Sequence, residues 1–142
     1  MLPDQFESEA LTRVKLHEGF NATLYPDPLN PGILTGGYGH NFHEPISPAL
    51  AEKILLHDWD VAKTELGKAV NWEALNRLPY HKYFVLVEIM FQLGLTKFKS
   101  FKKMIAAIER GDMKEAAKEL RDSKYYRQVP DRAEKLAKIL EE

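Results

Sequence analysis

Apolar or aromatic side chains occupy ten of the fourteen positions of the segment Tyr80–Leu93, which Gly94 follows. A helix that is apolar on all sides must be surrounded by other elements, and glycine commonly ends a helix. We therefore predict a central helix here. Its most apolar part, residues 83–91, contains Glu88 and is far shorter than the ~20 residues that cross a bilayer, so no membrane span is predicted.

Capping signals predict helices on both sides of this segment. Ser47 as N-cap with Pro48 at the first helical position starts a helix that ends near Gly67. A capping-box spacing between Asp4 and Glu7 starts the first helix, which Gly19 ends and in which Glu18 is the last residue. Three further helices are predicted over residues 100–110, 112–123 and 130–140, the second with a capping box at Asp112 and Glu115.

Between the first two helices the pattern changes to that of strands. Residues 23–25 and 33–35 are short strand candidates around a turn rich in Pro, Asp, Asn and Gly, which predicts a hairpin. Gly36, Gly37 and Gly39 follow directly and give the backbone unusual freedom. We expect a chain reversal or the close approach of a ligand at these glycines.

These elements predict an α+β, mainly helical fold with two lobes. With 142 residues, 44% of them hydrophobic, the chain is long enough to bury a real core and fits a single domain over residues 1–142. The first helix leads into a small β lobe at about 20–45, a connecting helix follows at about 47–66, and a helical lobe covers about 75–142. The chain has no cysteine, which excludes disulfide scaffolds, thiolate zinc sites and cysteine nucleophiles.

Charge and the first residues bear on location and partners. The start of the chain lacks a basic segment followed by an apolar run, so no signal peptide is predicted. Net charge is −1, but residues 97–142 carry 13 Lys and Arg against 9 Asp and Glu, while residues 1–96 carry 7 against 12. This asymmetry fits either contact with an anionic polymer or an ordinary solvated helix face.

Glu18, Asp27 and Thr35 form a candidate catalytic set. Hydrolysis of a glycosidic bond needs a carboxylic acid at the leaving oxygen and a second carboxylate that guides water or stabilises the transition state. Glu18, at a helix C-terminus, is placed where a proton is favoured, whereas Asp27, in a polar turn, should stay ionised. The Thr35 hydroxyl can orient a water beside Asp27. Residues of these types at this spacing are more often ordinary surface residues, so the spacing alone does not establish a catalytic set.

Longer motifs carry a family resemblance. The segments His17-Glu18-Gly19-Phe20, Tyr25-Pro26-Asp27 and Thr35-Gly36-Gly37-Tyr38-Gly39-His40 resemble the signature of the phage-type lysozymes, glycoside hydrolase family 24. The similarity continues in order through Phe91-Gln92-Leu93-Gly94, Glu115-Ala116-Ala117 and residues 125–133. Two departures are an Asp27-to-Thr35 interval two residues longer than in the family and a much shorter segment between His40 and Asp58, which indicates a trimmed small lobe.

The resemblance implies a bilobed lysozyme-like fold and an N-acetylmuramidase that cleaves β-1,4 bonds of peptidoglycan with inversion, using Glu18, Asp27 and Thr35. It further implies an ion pair between His40 and Asp58 and a hydrogen bond from Arg132 to the catalytic glutamate. The positions implied to bind substrate are Asn41, Phe91, Met104 and Glu119, of which Met104 and Glu119 replace a serine and an asparagine. From the sequence pattern alone, Phe91 would be a core residue.

We expect no cofactor, metal or nucleic-acid partner, since neither a His-Glu-x-x-His motif nor a nucleotide-binding loop is present. The expected partner is bacterial peptidoglycan, reached by a monomer that waits in the host cytoplasm until a holin admits it to the wall. Two alternatives stay open. One is a lytic transglycosylase, which would leave a 1,6-anhydro sugar, and the other is a catalytically silent wall-binding module.

Overall fold

The computed structural model describes residues 3–142, with side chains from residue 4 onward. Its contacts group the chain into two compact units. The N-terminal unit extends to Pro48, and the C-terminal unit spans Ala49–Glu142. Among the described residues, no helix combines the length and the hydropathy needed to cross a membrane.

The N-terminal unit begins with helix α1, Pro3–Glu18. The helix ends as predicted, because Gly19 adopts a φ of +68° and donates its N–H to the Lys15 carbonyl at 2.9 Å. Its start differs from the prediction. Since Pro3 is already helical, Asp4 lies inside the first turn and is not the N-cap. The physical reason is that the fixed φ of proline suits the first helical position.

A three-stranded antiparallel sheet follows, with β1 at Asn21–Pro26, β2 at Leu34–Gly37 and β3 at His40–Asn41. The pairing of Tyr25 with Thr35 confirms the predicted hairpin. The reversal expected at the glycines is also present, because β2 turns into β3 and Thr35 pairs with Asn41. Strand β3 was not predicted, since two residues are too few to show a period.

Helices make up the regular structure of the C-terminal unit. They are α2 (Pro48–Ala69, starting at the unit boundary), α3 (Trp72–Arg77), α4 (Tyr80–Leu93), α5 (Leu95–Lys99), α6 (Lys102–Glu109), α7 (Met113–Arg121), α8 (Lys124–Gln128) and α9 (Pro130–Glu141). The prediction of a mainly helical α+β fold is confirmed. Helix α4 has the predicted bounds, and its buried residues include Leu86, Val87 and Ile89 at the centre of the core.

In the C-terminal unit, one proline and one capping residue correctly predicted where helices begin. Helix α2 begins at Pro48, and the Asp112 side chain accepts the Glu115 N–H at 3.1 Å to start α7. By contrast, α2 continues through Gly67 to Ala69, because one glycine only weakens a helix interior. Helices α3, α5 and α8 were missed, as each has five or six residues and shows no clear amphipathic period.

An ion-pair network joins the last three helices. The Arg121 guanidinium donates to both carboxylate oxygens of Glu134 at 3.0 Å and to those of Glu141 at 2.7 and 2.8 Å. The Tyr126 hydroxyl also donates to Glu134, at 3.0 Å. The hydrogen bonds from Arg121 lower the pKa of both Glu134 and Glu141 below the ordinary value of 4.5. One guanidinium thus fixes α7 against two positions of α9.

We expect the double variant Glu134→Gln/Glu141→Gln to lower the Tm at pH 7 by on the order of 5 °C, since both ion pairs with Arg121 are lost. Because the fold lowers these pKa values, their stabilisation is complete above pH 4.5 and is lost as the pH falls through the lowered pKa values. The difference in Tm should therefore narrow below pH 4.5. Thermal unfolding followed by circular dichroism across pH measures it.

Asp60→Asn is the matched control, because it removes one exposed pair with Lys63 at 3.1 Å. Such a pair contributes little, so this variant should melt close to the wild type at every pH. A gap between the double variant and the wild type that stays constant with pH would contradict the electrostatic account.

Candidate active site

The Glu18 side chain lies against the turn between β2 and β3. A Cβ atom at position 39 would stand 2.7 Å from Glu18 Oε2 and 3.0 Å from its carboxyl carbon. Gly39 also has a φ of +76°, in the left-handed region. Glycine is therefore required there for two reasons, because it permits the backbone conformation and leaves room for the carboxylate.

Aromatic contacts hold this turn beside the end of α1. The Tyr38 ring lies 5.5 Å from the Phe20 ring, and the Lys15 ammonium lies 5.6 Å from the centre of the Tyr38 ring. Both contacts connect the residue before Gly39 to residues that flank Glu18 in sequence. These contacts therefore hold the turn and the end of α1 together on either side of Glu18.

The Asp27 carboxylate is oriented by the hairpin turn. Its Oδ1 accepts the backbone N–H groups of Leu29 at 2.8 Å and Asn30 at 3.0 Å. This is an Asx turn, which short acidic side chains form with the backbone that follows them. Both bonds use the same oxygen, so Oδ2 takes no part in the turn. The side chain is half-buried.

Thr35 is buried in the sheet with its hydroxyl unused. It is 5% exposed, and Oγ1 has no hydrogen-bond partner among the described residues. Leaving a buried hydroxyl without a partner costs about 1–3 kcal/mol. Folded proteins seldom retain this cost, and groups that do are often functional.

The sheet relates the three candidates to one another. Thr35 on β2 pairs with Tyr25 on β1. Asp27 follows Tyr25 by two positions, directly after the end of β1. Gly39, which contacts Glu18, lies in the turn that directly follows β2. All three residues therefore belong to the N-terminal unit, on α1, the hairpin turn and β2.

Two other predicted residues of this unit lie on β3. Asn41 pairs with Thr35, and its side chain accepts the His43 N–H at 2.9 Å and donates to Glu44 at 3.4 Å. The His40 ring packs edge-on against Phe42 with centroids 4.7 Å apart. Asn41 is thus next to the candidate site, and its contact with substrate stays a prediction.

The predicted charged residues of the C-terminal unit have neighbours within that unit. Asp58 Oδ1 lies 3.2 Å from His57 Nδ1. Arg132 donates to one oxygen of Glu88 from Nε at 3.2 Å and from Nη2 at 3.0 Å. Sequence reasoning treated Glu88 only as a break in an apolar run and missed this contact. The pairs of Asp58 with His40 and of Arg132 with Glu18 stay predictions.

The remaining predicted substrate positions differ in exposure. Phe91 is 39% exposed, with its ring 6.2 Å from that of Trp59, so the expectation of a core residue from the sequence pattern is wrong. Met104 is 1% exposed and Glu119 is half-buried, and both line a pocket of about 310 Å³ between α6 and α7. Within residues 3–142, no group of three or more His, Asp or Glu side chains is placed to hold a metal ion.

Comparison with known proteins identifies the family. The sequence matches the family model described as phage lysozyme over residues 15–137, which include all three catalytic candidates. It is 29% identical over 116 residues to "Probable T4-type lysozyme 2" of Dictyostelium discoideum, with 77% of this chain and 68% of that protein covered. The chain therefore belongs to the phage lysozyme family. It is a peptidoglycan-lytic hydrolase of the phage type.

We expect Gly39→Ala to reduce lytic activity by about 100-fold, the order of effect that a displacement of 1 Å has on a reacting group. The new methyl group would stand 2.7 Å from Glu18 Oε2, so the carboxylate must move. Turbidity loss of permeabilised cells measures the rate, and thermal unfolding reports stability.

Gly37→Ala is the control for backbone strain. Gly37 has a φ of +59° but no atom within 4 Å of a Cβ placed there. Both variants should lose about 1–2 kcal/mol of stability from the left-handed conformation. If the two lose activity equally, the contact with Glu18 is not what requires glycine at position 39.

Proposed function

We propose that this protein is an N-acetylmuramidase that hydrolyses the β-1,4 bond between N-acetylmuramic acid and N-acetylglucosamine. Glu18 is the general acid, and Asp27 and Thr35 bind and activate the attacking water. The observation that carries the proposal is the buried, unpartnered hydroxyl of Thr35, in register with the strand that leads to Asp27. A water molecule is a ligand that this hydroxyl and a carboxylate can share.

In the proposed reaction, Glu18 gives its proton to the glycosidic oxygen as the bond from that oxygen to the anomeric carbon breaks. Water attacks the same carbon from the opposite face and passes a proton to Asp27. The product has the inverted configuration at the anomeric carbon. An inverting pair needs room for water, so we expect the carboxyl groups to lie about 6.5–9.5 Å apart across the sugar.

The local settings of the two carboxylates support different roles. Glu18 ends a helix, at the negative end of the helix dipole, and is exposed where a leaving oxygen can approach it. Asp27 is fixed through Oδ1 by two backbone N–H groups, which leaves Oδ2 to contact water. A base that does not rotate can hold a nucleophile in line.

The proposal extends to the biological setting and to neighbouring residues. The enzyme acts as a monomer without metal or cofactor, waits in the host cytoplasm and reaches peptidoglycan through a holin-dependent route. His40 with Asp58, and Arg132 with Glu18, form positioning contacts in the active enzyme. Asn41, Phe91, Met104 and Glu119 contribute to the glycan groove.

We expect Glu18→Gln and Asp27→Asn each to abolish lysis of outer-membrane-permeabilised cells, with a loss of at least about 1,000-fold. Both substitutions preserve shape and remove only the acid or base. Glu7→Gln, on the exposed part of α1, is the control and should lyse cells at the wild-type rate. Lysis by Glu18→Gln at the wild-type rate would exclude Glu18 as the acid.

Mass spectrometry of the released muropeptides then distinguishes the reaction types. A muramidase yields reducing N-acetylmuramic acid, whereas a lytic transglycosylase yields the 1,6-anhydro form. A wall-binding module without activity would yield neither. Only the first product agrees with the roles proposed for Asp27 and Thr35.

We expect Thr35→Val to separate stability from activity. Valine has nearly the same shape and removes the unpartnered hydroxyl, so unfolding free energy should rise by about 1 kcal/mol. Activity should fall by at least about 100-fold, since water loses a hydrogen-bond partner. Thr35→Ser keeps the hydroxyl and should retain more activity than valine does. A stable, fully active Thr35→Val enzyme would refute the role of the hydroxyl.

A further inference from the structure

A pocket of about 470 Å³ lies where α3 meets α4 in the C-terminal unit. We call it the α3–α4 pocket. Its lining includes three aromatic side chains, two leucines and one amide: Trp72, Tyr80, Tyr83, Leu75, Leu78 and Asn76. None of them belongs to the catalytic or substrate-binding residues proposed above. The volume lies within the range of roughly 300–1,000 Å³ typical of small-molecule sites.

Two of the aromatic side chains are unusually exposed. Trp72 is 71% and Tyr80 is 81% exposed. The Tyr80 ring stacks on Phe84 at 6.3 Å and 24°, and Phe84 stacks on Trp59 at 6.1 Å and 26°. Tyr80 therefore ends a row of roughly parallel rings, and most of its own ring is open to solvent. It offers a flat aromatic surface beside the pocket.

Hydrogen bonds hold α3 in place at both ends. The Asn71 side chain caps the helix by accepting the Ala74 N–H at 2.8 Å, and its backbone N–H donates to Glu109 at 3.3 Å. Arg77, the last residue of α3, donates to the Glu109 carbonyl at 2.9 Å. Because both ends are tied to α6, the wall carrying Trp72 is preformed, and less free energy is needed to order it on binding.

The chemistry of the lining indicates an uncharged ligand. In a chain of which 29% is charged, none of the described residues that line this pocket is Lys, Arg, Asp or Glu. A phosphate or a carboxylate would find no counter-charge there. Aromatic faces pack against the C–H face of a sugar ring. The Asn76 amide, the tyrosine hydroxyls and the Trp72 indole N–H supply the few polar groups that fix orientation.

We propose that the α3–α4 pocket is a second glycan-binding site that takes an N-acetylglucosamine residue of the peptidoglycan strand. N-acetylglucosamine is uncharged, whereas N-acetylmuramic acid carries a lactyl carboxyl group or its stem peptide, which this lining does not match. The inference rests on the peptidoglycan-lytic function of the family and not on the roles of Glu18, Asp27 and Thr35. A second contact with a polymer raises the effective concentration of the enzyme at the wall.

The two tryptophans of the chain make a site-resolved test possible. Full-length ¹⁵N-labelled Glu18→Gln protein is titrated with tri-N-acetylchitotriose, and the two indole N–H signals are followed by NMR. The Trp72→Phe variant assigns the signals. We expect the Trp72 signal to shift saturably. Tyr80→Ala should weaken this binding by about tenfold, the effect of removing an anchoring aromatic ring.

Matched variants separate stacking from general disturbance. Tyr80→Phe keeps the ring and should bind within a factor of about two of the parent. His81→Ala removes a neighbouring exposed ring that does not line the pocket and should leave the Trp72 titration unchanged. Circular dichroism tests whether each variant is folded. Because Tyr80 is exposed, its replacement should disturb the fold little.

A Trp72 signal that stays fixed while backbone signals elsewhere move would overturn the proposal, as would an unchanged titration in Tyr80→Ala. The outcome is independent of the catalytic proposal, because Glu18→Gln protein is used. A shifted Trp72 signal with no lytic activity in the wild type would leave this site standing and refute the catalytic roles. A Trp72 signal that stays fixed, together with full lytic activity in the wild type, would refute this site and leave the catalytic roles standing.

Discussion

Burial of α4 is the interaction on which the C-terminal unit depends. Leu86, Val87 and Ile89 are fully buried on this helix, and each such side chain contributes about 1.5–3 kcal/mol when removed from water. One amphipathic helix cannot cover a helix that is apolar nearly all round, so several must pack around it. Leu120 and Leu140, fully buried on α7 and α9, belong to the same core. Arg121 then joins the outer parts of these two helices through Glu134 and Glu141.

Turn geometry positions the candidate catalytic groups of the N-terminal unit. Gly19 ends α1 at Glu18, the Asx turn of Asp27 shapes the hairpin, and Gly39 leaves space for the Glu18 carboxylate. Each of these three features fixes the backbone next to a polar side chain. The polar group is positioned in this way without being packed among apolar atoms. Thr35 is the exception, because its hydroxyl is buried and unpartnered at a cost in stability. The proposed reaction needs the acid and the attacking water in defined positions. Positioning of the proposed catalytic groups by the backbone meets this need.

Much of this arrangement could be predicted from local signals. A cap at Asp112, a proline at Pro48 and the near-continuous apolar run of α4 gave helices in the right places, since each signal acts within a few residues. The short α3 was missed, and with it the pocket between α3 and α4. Helix α3 is stabilised by hydrogen bonds between residues far apart in the chain, such as the one from Arg77 to the Glu109 carbonyl. No local sequence pattern shows such bonds. The identities of the candidate catalytic residues came from ordered motifs of the family, not from spacing alone.

The class of fold, the family and the candidate residues Glu18, Asp27 and Thr35 could be inferred without a structure, because periodicity, caps and motifs are properties of neighbouring residues. The tertiary structure establishes which atoms meet. It placed Gly39 against Glu18, buried the Thr35 hydroxyl without a partner, paired Arg132 with Glu88 and exposed Phe91. These outcomes depend on contacts between residues far apart in the chain and on the burial that packing produces. Neither quantity is contained in a local pattern of residues.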